Sequence, residues 1–255
     1  MKLDELKMLK KKRKIVILTA YDYQIAKILD SIGIDLVLVG DSLGMVVLGY
    51  KNTKSVTTQE MLHHTRAVAR GAENIPIIGD MPINSYNTIA DALKNAKDFL
   101  NAGAHGVKIE GNKPEIIKAL LNEGIPVMGH VGLLPQTAEK YRVRGKDEVE
   151  AEKIFSDALE LDELGVFMIV LECVPESLAK RITETVETPT IGIGAGKYCD
   201  GQVLVINDML GLDESFAPKY LKRYASLNHV IKQAVTKFKE EVLDGKYPDR
   251  EHTYH

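Results

Sequence analysis

Thr88-Ile89-Ala90-Asp91-Ala92-Leu93-Lys94-Asn95-Ala96-Lys97-Asp98-Phe99-Leu100-Asn101-Ala102-Gly103-Ala104-His105-Gly106-Val107-Lys108-Ile109-Glu110-Gly111 is the stretch on which the fold turns. Ile89, Leu93, Ala96, Phe99 and Leu100 recur at helical spacing, so Thr88 to Leu100 reads as an amphipathic helix. Gly103 stands just past it, where helices commonly end in a left-handed turn. Gly106 to Gly111 then reads as a short strand. Helix, glycine, strand is the unit.

The unit recurs in both directions. Short apolar runs at Ile15–Ala20, Asp35–Gly40, Ile75–Asp80, Ile125–His130, Val166–Glu172, Pro189–Gly194 and Gln202–Asp208 bring the candidate strands to eight. Most are continuous rather than alternating, as strands buried on both faces are. Helical spacing marks Tyr23 to Ile32, Thr57 to Arg70, Glu115 to Leu121, Asp147 to Leu164 and Glu176 to Val186, with Gly33, Gly71, Gly124 and Gly165 as stop signals. Strands alternating with helices imply right-handed crossovers and a parallel sheet. Eight strands in 255 residues predict one closed (β/α)₈ TIM barrel domain over 1–255, ahead of a doubly wound open sheet. The seventh connection is irregular, because Tyr198–Gly201 leaves no room for a helix. Met1 to Lys12 reads as an amphipathic helix before the first strand, and Lys219 to Leu243 as a helical extension.

Composition narrows the function classes. The residues are 45% hydrophobic and 27% charged, which excludes wholesale disorder. A net charge of −3 provides no global field for nucleic acid. No run approaches the roughly 18 apolar residues of a membrane span. The Lys10–Lys14 basic cluster precedes an apolar run, Ile15–Ala20, that is shorter than the about 7–15 residues of a signal core, so a cytoplasmic protein is expected. Cys173 and Cys199 form no paired framework and read as reduced thiols.

In a barrel of this kind chemistry sits at the C-terminal strand ends. Asp41 and Ser42 follow strand two, Asp80 closes strand three, Lys108 and Glu110 share one face of strand four, His130 closes strand five and Glu172 closes strand six. Taken singly, an Asp after a strand reads as a helix cap, Lys108 with Glu110 as an interior ion pair, His130 as a structural histidine and Glu172 as a cap for a helix near Pro175. Gly192-Ile193-Gly194-Ala195-Gly196 lacks the helix a dinucleotide fingerprint needs and reads as a close backbone approach. Together, ionisable groups on five successive strand ends converge on one mouth. Asp41, Asp80 and Glu110 repel one another there, and a divalent cation relieves that repulsion. All-oxygen donors suit Mg²⁺ better than Zn²⁺.

Val39-Gly40-Asp41-Ser42-Leu43-Gly44, Gly79-Asp80-Met81-Pro82, Val107-Lys108-Ile109-Glu110-Gly111, Gly129-His130-Val131-Gly132-Leu133-Leu134-Pro135-Gln136, Leu171-Glu172-Cys173-Val174-Pro175 and Ile191-Gly192-Ile193-Gly194-Ala195-Gly196 occur in this order. The chain thereby resembles ketopantoate hydroxymethyltransferases from about Lys14 to His255. The resemblance implies a Mg²⁺-dependent barrel related to phosphoenolpyruvate mutase and isocitrate lyase, assembled as a homodecamer or a smaller homo-oligomer. It implies transfer of a hydroxymethyl group from 5,10-methylenetetrahydrofolate, or a modified pterin, to 3-methyl-2-oxobutanoate through a Mg²⁺-stabilised enolate, the first committed step toward pantothenate. Asp41, Asp80 and Glu110 would hold the metal, Glu110 directly or through water. Asp41, Ser42, Asp80, Lys108 and His130 would contact the keto acid, and Glu172 would take the proton. Fold alone does not separate this reading from another lyase or mutase of the superfamily, a Schiff-base aldolase using Lys108, or a folate-carrying barrel without turnover.

Overall fold

The computed structural model describes residues 3–254. These fall into two compact units, the first ending at Val205 and the second beginning at Ile206.

The first unit is a closed barrel of eight parallel strands in sequence order. They are β1 (Ile15–Thr19), β2 (Leu36–Val39), β3 (Ile77–Asp80), β4 (Gly106–Lys108), β5 (Val127–Gly132), β6 (Met168–Glu172), β7 (Thr190–Ile193) and β8 (Gly201–Leu204). β8 closes the ring on β1, pairing Gly201 with Ile15 and Val203 with Ile17. A Cβ at Gly201 would lie 2.5 Å from the Ile15 carbonyl oxygen, so glycine sets the spacing of that seam. The open-sheet alternative is thereby excluded.

The helices are α1 (Leu3–Lys7), α2 (Tyr23–Ile32), α3 (Leu43–Val46), α4 (Thr58–Ala69), α5 (Ile89–Asn101), α6 (Pro114–Asn122), α7 (Glu148–Leu164) and α8 (Glu176–Thr185). Their ends follow local chemistry. Asp22, Thr57, Thr88 and Asp147 each accept a backbone N–H as N-cap, and Thr57 with Glu60 completes a capping box. Gly33 and Gly165 close α2 and α7 in the left-handed conformation. No helix separates β7 from β8, as the short connection requires.

Side chains alternate across a strand, so every second residue points into the barrel. Ile17, Leu38, Ile78, Met128, Val170, Ile191 and Val203 form a buried apolar floor, joined by Leu6 of α1, which has no exposed surface. Leu3 and Leu9 pack against this cluster. Two residues above Ile78, Met128 and Val170 stand Asp80, His130 and Glu172. One alternation therefore builds both an apolar base and a polar mouth.

Several boundaries differ from the sequence reading. β5 runs two residues past His130, because His130 pairs with Val170 and Gly132 with Glu172. β4 ends at Lys108, leaving Glu110 just beyond it, although Ile109 and Gly111 still donate to Met128 and His130. β8 ends at Leu204, and the chain turns helical at α9 (Ile206–Met209). The N-terminal helix spans only Leu3–Lys7 of the expected Met1–Lys12; Met1 and Lys2 lie outside the described residues. Beyond it the chain makes turns, and Lys10 Nζ is drawn to Thr183 O, Thr188 O and Asp200 Oδ2.

The second unit holds α9 and α10 (Leu227–Leu243), so the expected helix from Lys219 begins eight residues later. Arg223 instead donates to the Glu214 and Phe216 carbonyls at 3.1 and 2.8 Å, which fixes a non-helical loop. Among the described residues no helix is long and apolar enough to cross a membrane.

Gly79 is the point of closest helix–sheet approach on β3. A Cβ there would fall 2.3 Å from Cδ1 of Phe99, which is fully buried on α5. Gly79→Ala is expected to lose ~1–3 kcal/mol by overpacking. Phe99→Leu in the same chain should recover part of that loss, a coupling that urea denaturation of both singles and the double reads directly. Strict additivity would show that the two positions do not touch.

Candidate active site

The mouth is built around a buried ion pair. Lys108 Nζ, at the end of β4, donates to both carboxylate oxygens of Asp80, at the end of β3, at 2.8 and 2.7 Å. Ladder pairing sets these two residues side by side. Burial alone lowers a lysine pKa, but Asp80, Glu110 and Asp41 outweigh it and hold Lys108 above its ordinary value.

Asp41 follows β2 and is buried. Its backbone N–H donates to Asp80 Oδ2 at 3.3 Å, and its Oδ2 accepts from Gln136 Nε2 at 2.9 Å. Its Oδ1 accepts nothing among the described residues. Burial and the Asp80 charge push Asp41 up to about 7, against the pull of Lys108 and Gln136. Glu110 is raised well above the usual carboxylate range, first by burial, and its Oε2 accepts the Gln136 backbone N–H at 3.0 Å.

Glu172 ends β6 with 17% of its side chain exposed. Burial drives its carboxyl up to about 7, although Lys108 opposes the shift. His130 Nε2 lies 3.2 Å from Glu172 Oε2 and Nδ1 lies 3.7 Å from Glu110 Oε1. Neither ring nitrogen attains hydrogen-bonding geometry, and burial with the Lys108 charge holds the imidazole neutral. A neutral ring wedged between two carboxyls keeps one donor and one acceptor for a third party.

Lys108 does form an interior ion pair, though with Asp80 rather than Glu110, whereas Ser42 and Glu172 take no capping role. Ser42 precedes α3 but makes no side-chain cap; its Oγ is 2.8 Å from the Tyr21 hydroxyl. Glu172 does not cap α8, whose N-cap is Pro175. Gly196 does fit the structural reading, because a Cβ there would lie 2.5 Å from Glu176. Cys173, next to Glu172, takes φ +48°, a costly conformation for a residue with a side chain. It is held by its N–H to the Ile193 carbonyl and by Arg144 N–H to its own carbonyl, both 2.8 Å. Burial and Glu172 push its thiol up to about 11, so it is no thiolate nucleophile at neutral pH.

The sequence reading passed over Gln136 and Tyr86. Gln136 lies inside a quoted motif, but a neutral amide gives no charge signal; only the fold shows its 2.5 Å bond from the Tyr86 hydroxyl.

The donors suit a hard divalent cation. They are carboxylate oxygens crowded beyond what one lysine neutralises, with a free oxygen on Asp41. Among the described residues no three His, Cys, Asp or Glu side chains cage an ion by themselves. That fits Mg²⁺, which commonly takes one or two carboxylates and leaves its other positions to water or substrate.

A sequence profile described as ketopantoate hydroxymethyltransferase matches residues 1–250. A protein of Syntrophus aciditrophicus (strain SB) named 3-methyl-2-oxobutanoate hydroxymethyltransferase is 52% identical over 254 residues, covering 97% of this chain and 93% of that one. One of the same name from Caldicellulosiruptor saccharolyticus is 52% identical over 250 residues, covering 96% and 95%. Among solved structures, a phosphonopyruvate hydrolase superposes with a TM-score of 0.66 at 12% identity, covering 100% of this chain and 92% of that one. A 2,3-dimethylmalate lyase of the phosphoenolpyruvate mutase/isocitrate lyase superfamily gives 0.62 at 14%, covering 98% and 91%. These two show the shared fold.

A carboxyl whose folded pKa exceeds its unfolded value holds its proton longer in the folded state. Its contribution to stability is full below the unfolded pKa and is lost as pH rises through the folded one. For Glu172 that window runs from its ordinary value of 4.5 to about 7. In metal-stripped protein, Glu172→Gln is expected to shrink the loss of stability between about pH 5 and about pH 8 by on the order of 2 kcal/mol. Urea melts at both pH values measure it. Identical pH dependence in both proteins would return Glu172 to the ordinary range.

Proposed function

The chain belongs to the ketopantoate hydroxymethyltransferase family, and from that premise we propose how its mouth performs the reaction. The activity is hydroxymethyl transfer to 3-methyl-2-oxobutanoate, a step of pantothenate synthesis. The observation that supports the residue roles best is Glu172, a half-buried carboxyl beside His130 at the rim of a carboxylate-rich mouth, pushed up to about 7.

Asp41, Asp80 and Glu110 would hold Mg²⁺, Glu110 directly or through water, with one Glu110 oxygen bound by the Gln136 backbone. When bound, Mg²⁺ supplies a Lewis acid for the carboxylate and ketone oxygens of the keto acid. Lys108 balances the charge of Asp80 and donates toward the substrate carboxylate. Ser42, oriented by Tyr21, and His130, neutral and unpartnered, supply further hydrogen bonds. Glu172 takes the proton from C3, since a carboxylate with a pKa near neutrality is a stronger base than an ordinary one. The carbon left by that proton bonds to the one-carbon unit of 5,10-methylenetetrahydrofolate, the two C–N bonds to that unit break, and one water supplies the hydroxyl, giving 2-dehydropantoate and tetrahydrofolate. A Schiff-base route through Lys108 needs a neutral amine, and Lys108 is held protonated beside Asp80.

Exchange of the C3 hydrogen of 3-methyl-2-oxobutanoate in D₂O isolates the proton step. Glu172→Gln is expected to slow it about 10²- to 10⁴-fold while keto-acid binding by calorimetry changes far less. Removal of Mg²⁺ with a chelator should stop exchange, and adding Mg²⁺ back should restore it. Exchange at the wild-type rate in Glu172→Gln would remove Glu172 as the base; exchange in full without metal would remove Mg²⁺ from the reaction.

A cytoplasmic homo-oligomer, up to a decamer, is proposed with this activity on the strength of the family resemblance. Light scattering at micromolar concentration is expected to give a mass above that of a dimer, and a monomer would contradict it.

A further inference from the structure

Gln136 is 1% exposed and every polar group it carries toward the mouth is used. Its backbone N–H donates to Glu110 Oε2 at 3.0 Å. Its side-chain nitrogen donates to Asp41 Oδ2 and to the Met81 carbonyl, both at 2.9 Å. Its side-chain oxygen accepts the Tyr86 hydroxyl at 2.5 Å. The assignment of nitrogen and oxygen is not arbitrary. Turning the amide over would set acceptor against acceptor at Asp41 and at Met81. Tyr86 O–H, buried and donating, holds the amide the right way round.

Two loops present this pair. The chain leaving β5 crosses the end of β6 at Gly132, φ +99°, where a Cβ would meet the Glu172 carbonyl at 2.3 Å. Leu133 N–H then bonds that same carbonyl at 2.8 Å, and a turn at Leu134–Ala138 points Gln136 inward. The loop after β3 is fixed by Ser85 on Pro82 O and by Asn95 on Ser85 O, which places Tyr86 opposite.

We propose that Gln136 is a positioning residue for the divalent cation: its amide, oriented by Tyr86, clamps one oxygen of Asp41 so that the other faces the mouth, while its backbone fixes Glu110. This rests on Asp41 as a cation ligand. Gln136 touches neither metal nor substrate in this scheme and acts only through the two carboxylates. An unclamped Asp41 would rotate about its terminal torsion and turn toward Lys108, the nearest ammonium. The clamp therefore keeps Asp41 for the cation and Lys108 for Asp80.

The test is calorimetric titration of Mg²⁺ into metal-stripped Gln136→Leu, Tyr86→Phe and Asp41→Asn, beside the dependence of initial rate on Mg²⁺. Gln136→Leu is expected to weaken Mg²⁺ binding about 10- to 100-fold, the usual cost of losing a group that orients a metal ligand. Tyr86→Phe should weaken it about five-fold, as the loss of one hydrogen bond does. In both, the Mg²⁺ activation constant should rise more than kcat falls. Should Gln136→Leu fail to fold, Tyr86→Phe carries the same comparison, since it removes a single oxygen. Wild-type Mg²⁺ affinity in Gln136→Leu, or in Tyr86→Phe if the former is unfolded, with affinity lost in Asp41→Asn, overturns the positioning role alone. Wild-type affinity in Asp41→Asn overturns the ligand assignment and the positioning role together.

Discussion

Asp41, Asp80, Glu110 and Glu172 share one buried mouth with a single ammonium group, Lys108. Most features of the site follow from that imbalance. Lys108 commits itself to Asp80, the carboxylate beside it in the ladder. The others cannot all ionise cheaply in a low dielectric, so their affinity for protons rises. A neutral His130 separates Glu110 from Glu172. Such a mouth is uncomfortable without a cation, and that discomfort is a form of affinity. Stability given up in the carboxylates reappears as binding free energy when positive charge arrives.

The barrel was legible in the sequence because its strands are buried on both faces and its helices on one. Continuous apolar runs such as Leu36–Val39 and the periodic 89–101 segment differ in the way that burial dictates. The strand ends with Asp41, Asp80, Lys108, Glu110, His130 and Glu172 were legible for a related reason. Each has an ordinary structural reading when taken alone, and it is their convergence on successive strand ends that stands out; the two-residue alternation sets Asp80, His130 and Glu172 above Ile78, Met128 and Val170 of the floor. What was not legible depends on contacts across the mouth. Gln136 and Tyr86 are ordinary residues in ordinary loops until Gly132 bends one loop across β6 and Ser85 turns the other. The bounds of β8 and α10 were missed because apolar periodicity continues past the point where backbone bonding changes partners.

Each strand divides its labour between an apolar base and a polar end. The structures that superpose on this chain share only 12–14% identity with it in the comparisons above. A floor of Ile, Leu, Met and Val needs only volume and hydrophobicity. The ionisable residues Asp80, His130 and Glu172 stand one step above that floor, so the same strands supply both layers.

The ring closes where the last strand, Gly201–Leu204, meets Ile15 of the first. That strand carries none of the residues assigned to the reaction. Synthesis runs from the N-terminus, so every such residue has left the ribosome while β1 and β7 still show bare edges. The parallel staves can gather earlier, but their curvature is not set until the final stave locks to the first. Asp41 and Gln136, 95 positions apart, need that curvature to meet. The segment that closes the ring thus contributes geometry and no chemistry.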